Sequence, residues 1–86
     1  MNIMEANSNR VVYSIIGSNI VDVNNSNRIV YSIVGSNIVD VNNYNRNMYR
    51  INGSNIIDAD SNQVVFRVSG SNIIDANSNQ ILYRTS

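Results

Sequence analysis

Residues 8–25 read SNRVVYSIIGSNIVDVNN, and residues 26–43 read SNRIVYSIVGSNIVDVNN. The two segments differ only by Val/Ile exchanges. The unit recurs with drift as YNRNMYRINGSNIIDAD over 44–60 and as SNQVVFRVSGSNIIDAN over 61–77. SNQILYRTS at 78–86 is the first half of a further unit. MNIMEAN at 1–7 matches the second half of a preceding one. Self-similarity at a fixed short period is the signature of a repeat architecture. The chain is therefore one repeat domain over residues 1–86. It comprises a half-unit 1–7, units 8–25, 26–43, 44–60 and 61–77, and a half-unit 78–86. The change in period from 18 to 17 residues falls in the Asn-rich turn, where a strand–turn–strand unit tolerates an indel.

Composition sets the fold class. The chain has 86 residues, 43% of them apolar, with 18 Asn, 13 Ile, 11 Val and one Leu. Val and Ile favour strands, and Asn favours turns. The domain is predicted to be all-β. Each unit holds two short strands, Val11–Ile16 and Asn19–Val23 in the first. Gly17-Ser18 and its equivalents make one bend, and Asn24-Asn25-Ser26-Asn27 and its equivalents the other. Gly and Asn suit both bends because they tolerate left-handed backbone.

Alternation along the first strand puts Val11, Tyr13 and Ile15 on one face. An aromatic column results: Tyr13, Tyr31, Tyr49, Phe66 and Tyr83. On the second strand Val21 and Val23 are expected to complete that apolar face. Ser14, Ser32, Arg50, Arg67, Arg84, Asp22, Asp40, Asp58 and Asp75 fall on the other, beside Ile20 and Ile38.

Two architectures fit. In a two-layer β-solenoid each unit is one coil, and equivalent residues stack about 4.8 Å apart, with Asn ladders at the bends. In an antiparallel β-meander, closed or dimerised, each unit is a hairpin. A three-residue loop then sets Arg50 opposite Asp58, Arg67 opposite Asp75, and Tyr49 opposite Ala59. The solenoid stacks four Asp in a column, which like-charge repulsion disfavours. The meander must cover its Tyr/Ile face by closing or dimerising. The near-identity of the repeats tips the expectation to the solenoid.

The unit at 26–43, with Ser26, Gly35, Asn37, Val39, Val41 and Asn43 at corresponding places, resembles a curlin-type repeat of bacterial functional amyloid. Curlin repeats are longer and carry Ala and Gln where this chain has Val and Asn. The resemblance implies a secreted β-solenoid, extracellular or at the cell surface, that stacks end to end into fibres.

Several function classes are excluded or disfavoured. The chain lacks Cys, His, Lys, Trp and Pro, and all six basic residues are Arg. No disulfide, Cys/His metal site, His-based triad or Schiff-base lysine can form. The Ser residues have no His or Lys to activate them, so no enzyme is expected, and no cofactor. Zero net charge and 14% charged residues argue against nucleic acid as a partner. No stretch approaches the roughly 20 apolar residues of a membrane span. No secretory signal is visible at Met1–Asn7. The Asp column lacks the Gly-rich nonapeptide of calcium-binding β-rolls, so a solvated face is the expectation there.

The leading expectation is a non-catalytic structural protein whose partner is itself, as a fibre or larger oligomer. Both ends break off in mid-unit. The expected assembly edges are Asn2, Ile3, Met4, Glu5 and Ala6 on one side, and Gln80, Ile81, Leu82, Tyr83 and Arg84 on the other, since open strand edges template pairing. The alternative is a soluble binding module for protein or glycan, one that a fragment of a longer repeat protein could also form.

Overall fold

The computed structural model describes all 86 residues and contains strands and turns but no helix. Ten strands follow in order: β1 (Asn2–Glu5), β2 (Val11–Ile16), β3 (Asn19–Asp22), β4 (Arg28–Val34), β5 (Asn37–Asp40), β6 (Arg46–Asn52), β7 (Asn55–Asp58), β8 (Val64–Ser69), β9 (Asn72–Asp75) and β10 (Ile81–Thr85). Each pairs antiparallel with its sequence neighbours, and β1 pairs antiparallel with β10. The sheet is a closed barrel, short and wide, with extents of 32 × 32 × 17 Å.

The all-β expectation holds, and the arrangement is the closed meander. The solenoid expectation is corrected. A solenoid coil needs its strands to recur parallel to their equivalents one unit on. Here equivalent strands are separated by an antiparallel strand between them, so Asp22, Asp40, Asp58 and Asp75 never stack on one another. Closure covers the Tyr/Ile face that an open meander leaves bare, and no unpaired sheet edge remains.

The tight bends explain the register. Gly17-Ser18 is a two-residue loop between the paired residues Ile16 and Asn19, and Gly53-Ser54 is its equivalent between Asn52 and Asn55. Gly17 and Gly53 both have φ of 62°, the positive value that the first position of a II′-type hairpin turn requires. The three-residue loop expected from the sequence is therefore one residue too long. A one-residue slip exchanges the faces of the whole second strand. Tyr49 thus lies opposite Asp58, not Ala59, and Arg50 opposite Ile57, not Asp58. Arg67 likewise lies opposite Ile74, not Asp75. Ile20, not Val21, shares the face of Tyr13 and Ile15.

The wide bends carry the indel. In the turns after β3 and β5, two consecutive residues have positive φ: Ser26 with Asn27, and Tyr44 with Asn45. The turns after β1, β7 and β9 have one each, Asn9, Asn62 and Asn79. Those shorter turns are braced by Ser8, Ser61 and Ser78, whose hydroxyls accept from the amides of Arg10, Gln63 and Gln80 at 3.2–3.3 Å. Asn and Ser fill these bends because short polar side chains hydrogen-bond the local backbone.

A bulge recurs where each second strand meets the next first strand. Val30 is the extra residue between Tyr31, paired with Ile20, and Ile29, paired with Val21. Val12, Met48, Val65 and Leu82 occupy the same place in the other units. Bulges bend a strand and increase its twist, which helps a short sheet to close.

The two half-units complete one another. In the four intact units a serine carbonyl at the tight bend accepts from the following first strand, as Ser18 does from Ile33 at 2.7 Å. Met1 takes that serine's place, accepting from the Ile15 amide at 2.7 Å. At the bulge, the Leu82 carbonyl accepts from Ala6 at 3.0 Å, as Met48 does from Ala59. The ring is therefore five hairpins, the fifth built from β10 and β1. The residues expected to pair between chains pair here within one: Ile3 with Thr85, Met4 with Arg84, Glu5 with Tyr83.

Candidate functional site

One residue from each strand lines a central cavity. Ile3, Ile20, Ile38, Ile56 and Ile73 alternate with Tyr13, Tyr31, Tyr49, Phe66 and Tyr83 around a cavity of about 230 Å³. The alternation follows from the register: each isoleucine of a second strand pairs across the bulged ladder with an aromatic of the next first strand. All ten lining residues are apolar or aromatic. Tyr49 and Phe66 meet edge to face at 6.2 Å between ring centroids.

The lumen is not filled. Only Val21, Ile38 and Val39 are buried, at 4%, 8% and 6% exposure. Of these, Ile38 alone lines the lumen, and its nine fellows retain some accessibility. Val21 and Val39 point to the opposite, outer face, between β2 and β4 and between β4 and β6 respectively. The aromatic column expected as a core is thus the wall of an open lumen, and the Val21 column lies outside it.

Polar groups gather at the wide-bend end of the lumen. Asp22 pairs with Tyr13, Asp40 with Tyr31, Asp58 with Tyr49 and Asp75 with Phe66. Glu5 completes the ring opposite Tyr83. Each Asp accepts, through Oδ1, the backbone amide two residues on, at 2.9–3.0 Å, which fixes the start of the turn. Burial raises the Tyr13 phenol above its ordinary value; Tyr83, Tyr31 and Asp22 add to this electrostatically. Tyr31 is raised in the same way by burial, then by Tyr49 and Asp40. No three acidic side chains converge as a metal ion would need.

The arginines are engaged at the wide bends. Arg10, Arg28 and Arg46 each reach to the next wide bend, donating to Asn24 at 3.2 Å, Asn42 at 3.1 Å and Asp60 at 2.7 Å. Arg50 and Arg67 donate to Asn62 and Asn79. These contacts form a belt linking successive hairpins. Arg46–Asp60 is the single salt bridge. The ion-paired face expected from Arg50 with Asp58 and Arg67 with Asp75 does not form, because the two-residue turn separates those faces.

A second concavity of about 590 Å³ lies on the outer wall across β3 to β6, lined by Asn19, Ser32, Asn37, Asn45 and Asn47 among valines and Ile29. Its lining is of mixed chemistry and comes from one part of the wall, whereas the lumen is lined by every strand.

The tandem repeat made the aromatic column legible. The isoleucine column was missed as its partner because Ile20 and Val21 are adjacent and equally apolar. The two-residue Gly-Ser bend is the signal that separates them. No helix is long and apolar enough to cross a membrane, and the strands, of 4–7 residues, are shorter than the about 9–11 that a membrane-barrel strand needs. No protein-family model, no curated protein and no solved structure matches the chain.

Proposed function

We propose that this chain is a non-catalytic binding module that holds a small guest in the lumen of its ring. One observation carries the reading: ten apolar side chains, one from each strand, converge on an unfilled cavity of about 230 Å³. Barrels of about eight strands can fill their interiors with side chains, while larger barrels enclose ligand cavities. A mostly apolar, largely preformed concavity with a few polar groups at its edge is the usual form of a small-molecule site. The lumen has that form, and its volume, just below the usual range of about 300–1,000 Å³, suits a compact guest.

Benzene, which enters engineered apolar cavities of smaller size, is a suitable probe. Methyl and aromatic NMR resonances of Ile38, Ile56 and Tyr31 should shift on titration, while Ser32 and Val34 on the outer wall stay fixed. Unchanged lumen resonances at saturation would remove the proposal.

A second reading has its own support. β1 and β10 are the one pair of neighbouring strands not joined by a turn, so the same ladder can close between two chains. Exchange of an identical element is a low-cost route to oligomers. Self-association through Asn2–Ala6 and Gln80–Arg84 would then proceed by opening this seam. Sedimentation at rising concentration tests it: a growing oligomer favours exchange, and a constant monomer favours the lumen reading alone.

A further inference from the structure

We infer that the guest is an organic monocation with a compact apolar body, of the quaternary or tertiary ammonium class, held among the aromatic walls beneath the ring of carboxylates. The inference rests on the lumen reading above and deepens it.

The distribution of charge selects the sign. Five carboxylates, Glu5, Asp22, Asp40, Asp58 and Asp75, stand on the lumen side of the sheet, each opposite an aromatic residue. None has an ion-pair partner, because the single salt bridge uses Asp60 in a turn. In each of the four Asp side chains only Oδ1 is engaged by a backbone amide, and Oδ2 accepts no hydrogen bond from the protein. Five of the six guanidinium groups are engaged by side chains of the wide bends, and Arg28 and Arg46 are the register partners of Asp22 and Asp40. The sixth, Arg84, lies one residue from Tyr83 and so on the outer parity of β10.

The walls select the kind of cation. Aromatic rings attract a cation through their quadrupole, and cages of such rings are the usual recognition device for quaternary ammonium groups. An apolar body is satisfied by the five isoleucines between the rings. A small metal ion is not favoured, because it needs oxygen ligands crowded around one point, and these carboxylates are spread around a ring. A diffuse ring of charge suits a large, weakly hydrated ion. The field of the carboxylates reaches the walls, since Asp22 and Asp40 both disfavour ionisation of the phenols opposite them. An anionic guest would face these five charges, while the arginines of the same bends are already engaged by Asn24, Asn42, Asp60, Asn62 and Asn79.

The test compares choline with 3,3-dimethylbutan-1-ol, its neutral isostere, by NMR titration of the intact chain. Choline should bind at least about tenfold more tightly, the size of a partly desolvated cation–π contact. Asp22→Asn combined with Asp40→Asn keeps the Oδ1 acceptors of both turns. It should weaken choline binding and leave the affinity of the neutral compound unchanged. Equal affinities for the two compounds in the parent chain would overturn the cation assignment while leaving the lumen reading intact. Binding of neither would overturn both. An amide spectrum of the double variant matching the parent outside the lumen shows that the fold is retained.

Discussion

The amide of Ser86 donates to the carbonyl of Asn2 at 3.0 Å, and the Asn2 amide returns the bond to Ser86 at 3.3 Å. The two ends of the chain are thus antiparallel partners at the position where each intact hairpin has its tight bend. The geometry around them repeats that of the other four hairpins with one difference: Met1 stands where Ser18 stands, and nothing stands where Gly17 does. The ring is one glycine short of a continuous five-fold circle.

A backbone-cyclised chain with one Gly joining Ser86 to Met1 should therefore fold to the same ring with added stability. Closing a loop of this length removes about 4–5 kcal/mol of unfolded-chain entropy in the chain-entropy model, an upper value for the gain. Urea melts of cyclic and linear chains measure it. A cyclic form no more stable than the linear one would show that the ends do not meet.

Ser86→Pro removes the donor of the Ser86–Asn2 bond from the seam. It should cost about 1 kcal/mol, the net worth of one backbone hydrogen bond, and raise amide exchange in β1 above that in β5. Unchanged protection in β1 would mean that Ser86 is not part of the ladder.

Gly53 has φ of 62° and open space where a Cβ would sit. Gly53→Ala should cost about 1–2 kcal/mol through backbone conformation alone, and Gly53→Asn less, because Asn visits this region more readily. Thermal melts ranking the two the other way would contradict the assigned turn.

Ile38 is 8% exposed on the lumen wall and Val34 57% exposed near a tight bend. Ile38→Ala should cost about 2–4 kcal/mol and Val34→Ala within about 0.5 kcal/mol. Denaturant melts showing equal costs would mean that the lumen wall does not hold the ring together.

Tyr13 and Tyr31 have phenols raised above 10.0 in the folded ring. Above pH 10 the unfolded chain loses these protons while the folded chain keeps them. The folded state then binds more protons than the unfolded one, so stability falls as pH rises. Stability should be level below about pH 10 and decline as pH climbs through the raised values. Tyr31→Phe should make the decline shallower. Urea melts across that range, with phenolate absorbance as the titration signal, would contradict this if stability rose instead.

Much of the fold can be read from the repeat itself. Strand positions follow from Val, Ile and aromatic runs, bends from Gly-Ser and Asn clusters, and the complementary half-units from residues 1–7 and 78–86. The faces of the second strands are harder. Ile20-Val21, Ile38-Val39 and Ile56-Ile57 are apolar pairs, so hydropathy is blind to a one-residue slip, and the count of turn residues alone fixes the register. The extra residues Val12, Val30, Met48, Val65 and Leu82 are also apolar among apolar neighbours, so nothing in their chemistry marks a bulge. The placement of the carboxylates on the lumen side depends on both, which is why the site is less legible than the fold.

One chain closes its own ring through β1 and β10. Because Asn2 and Ser86 exchange both bonds, Ile3 and Thr85 form the adjacent non-hydrogen-bonded pair, where the backbones approach most closely. An isotope-filtered NOE experiment on a mixture of labelled and unlabelled chains reads this pair directly. The Ile3 Hα–Thr85 Hα cross-peak should arise wholly within labelled chains. A cross-peak seen only between a labelled chain and an unlabelled one would show that the seam joins different molecules and that the ring does not close on itself.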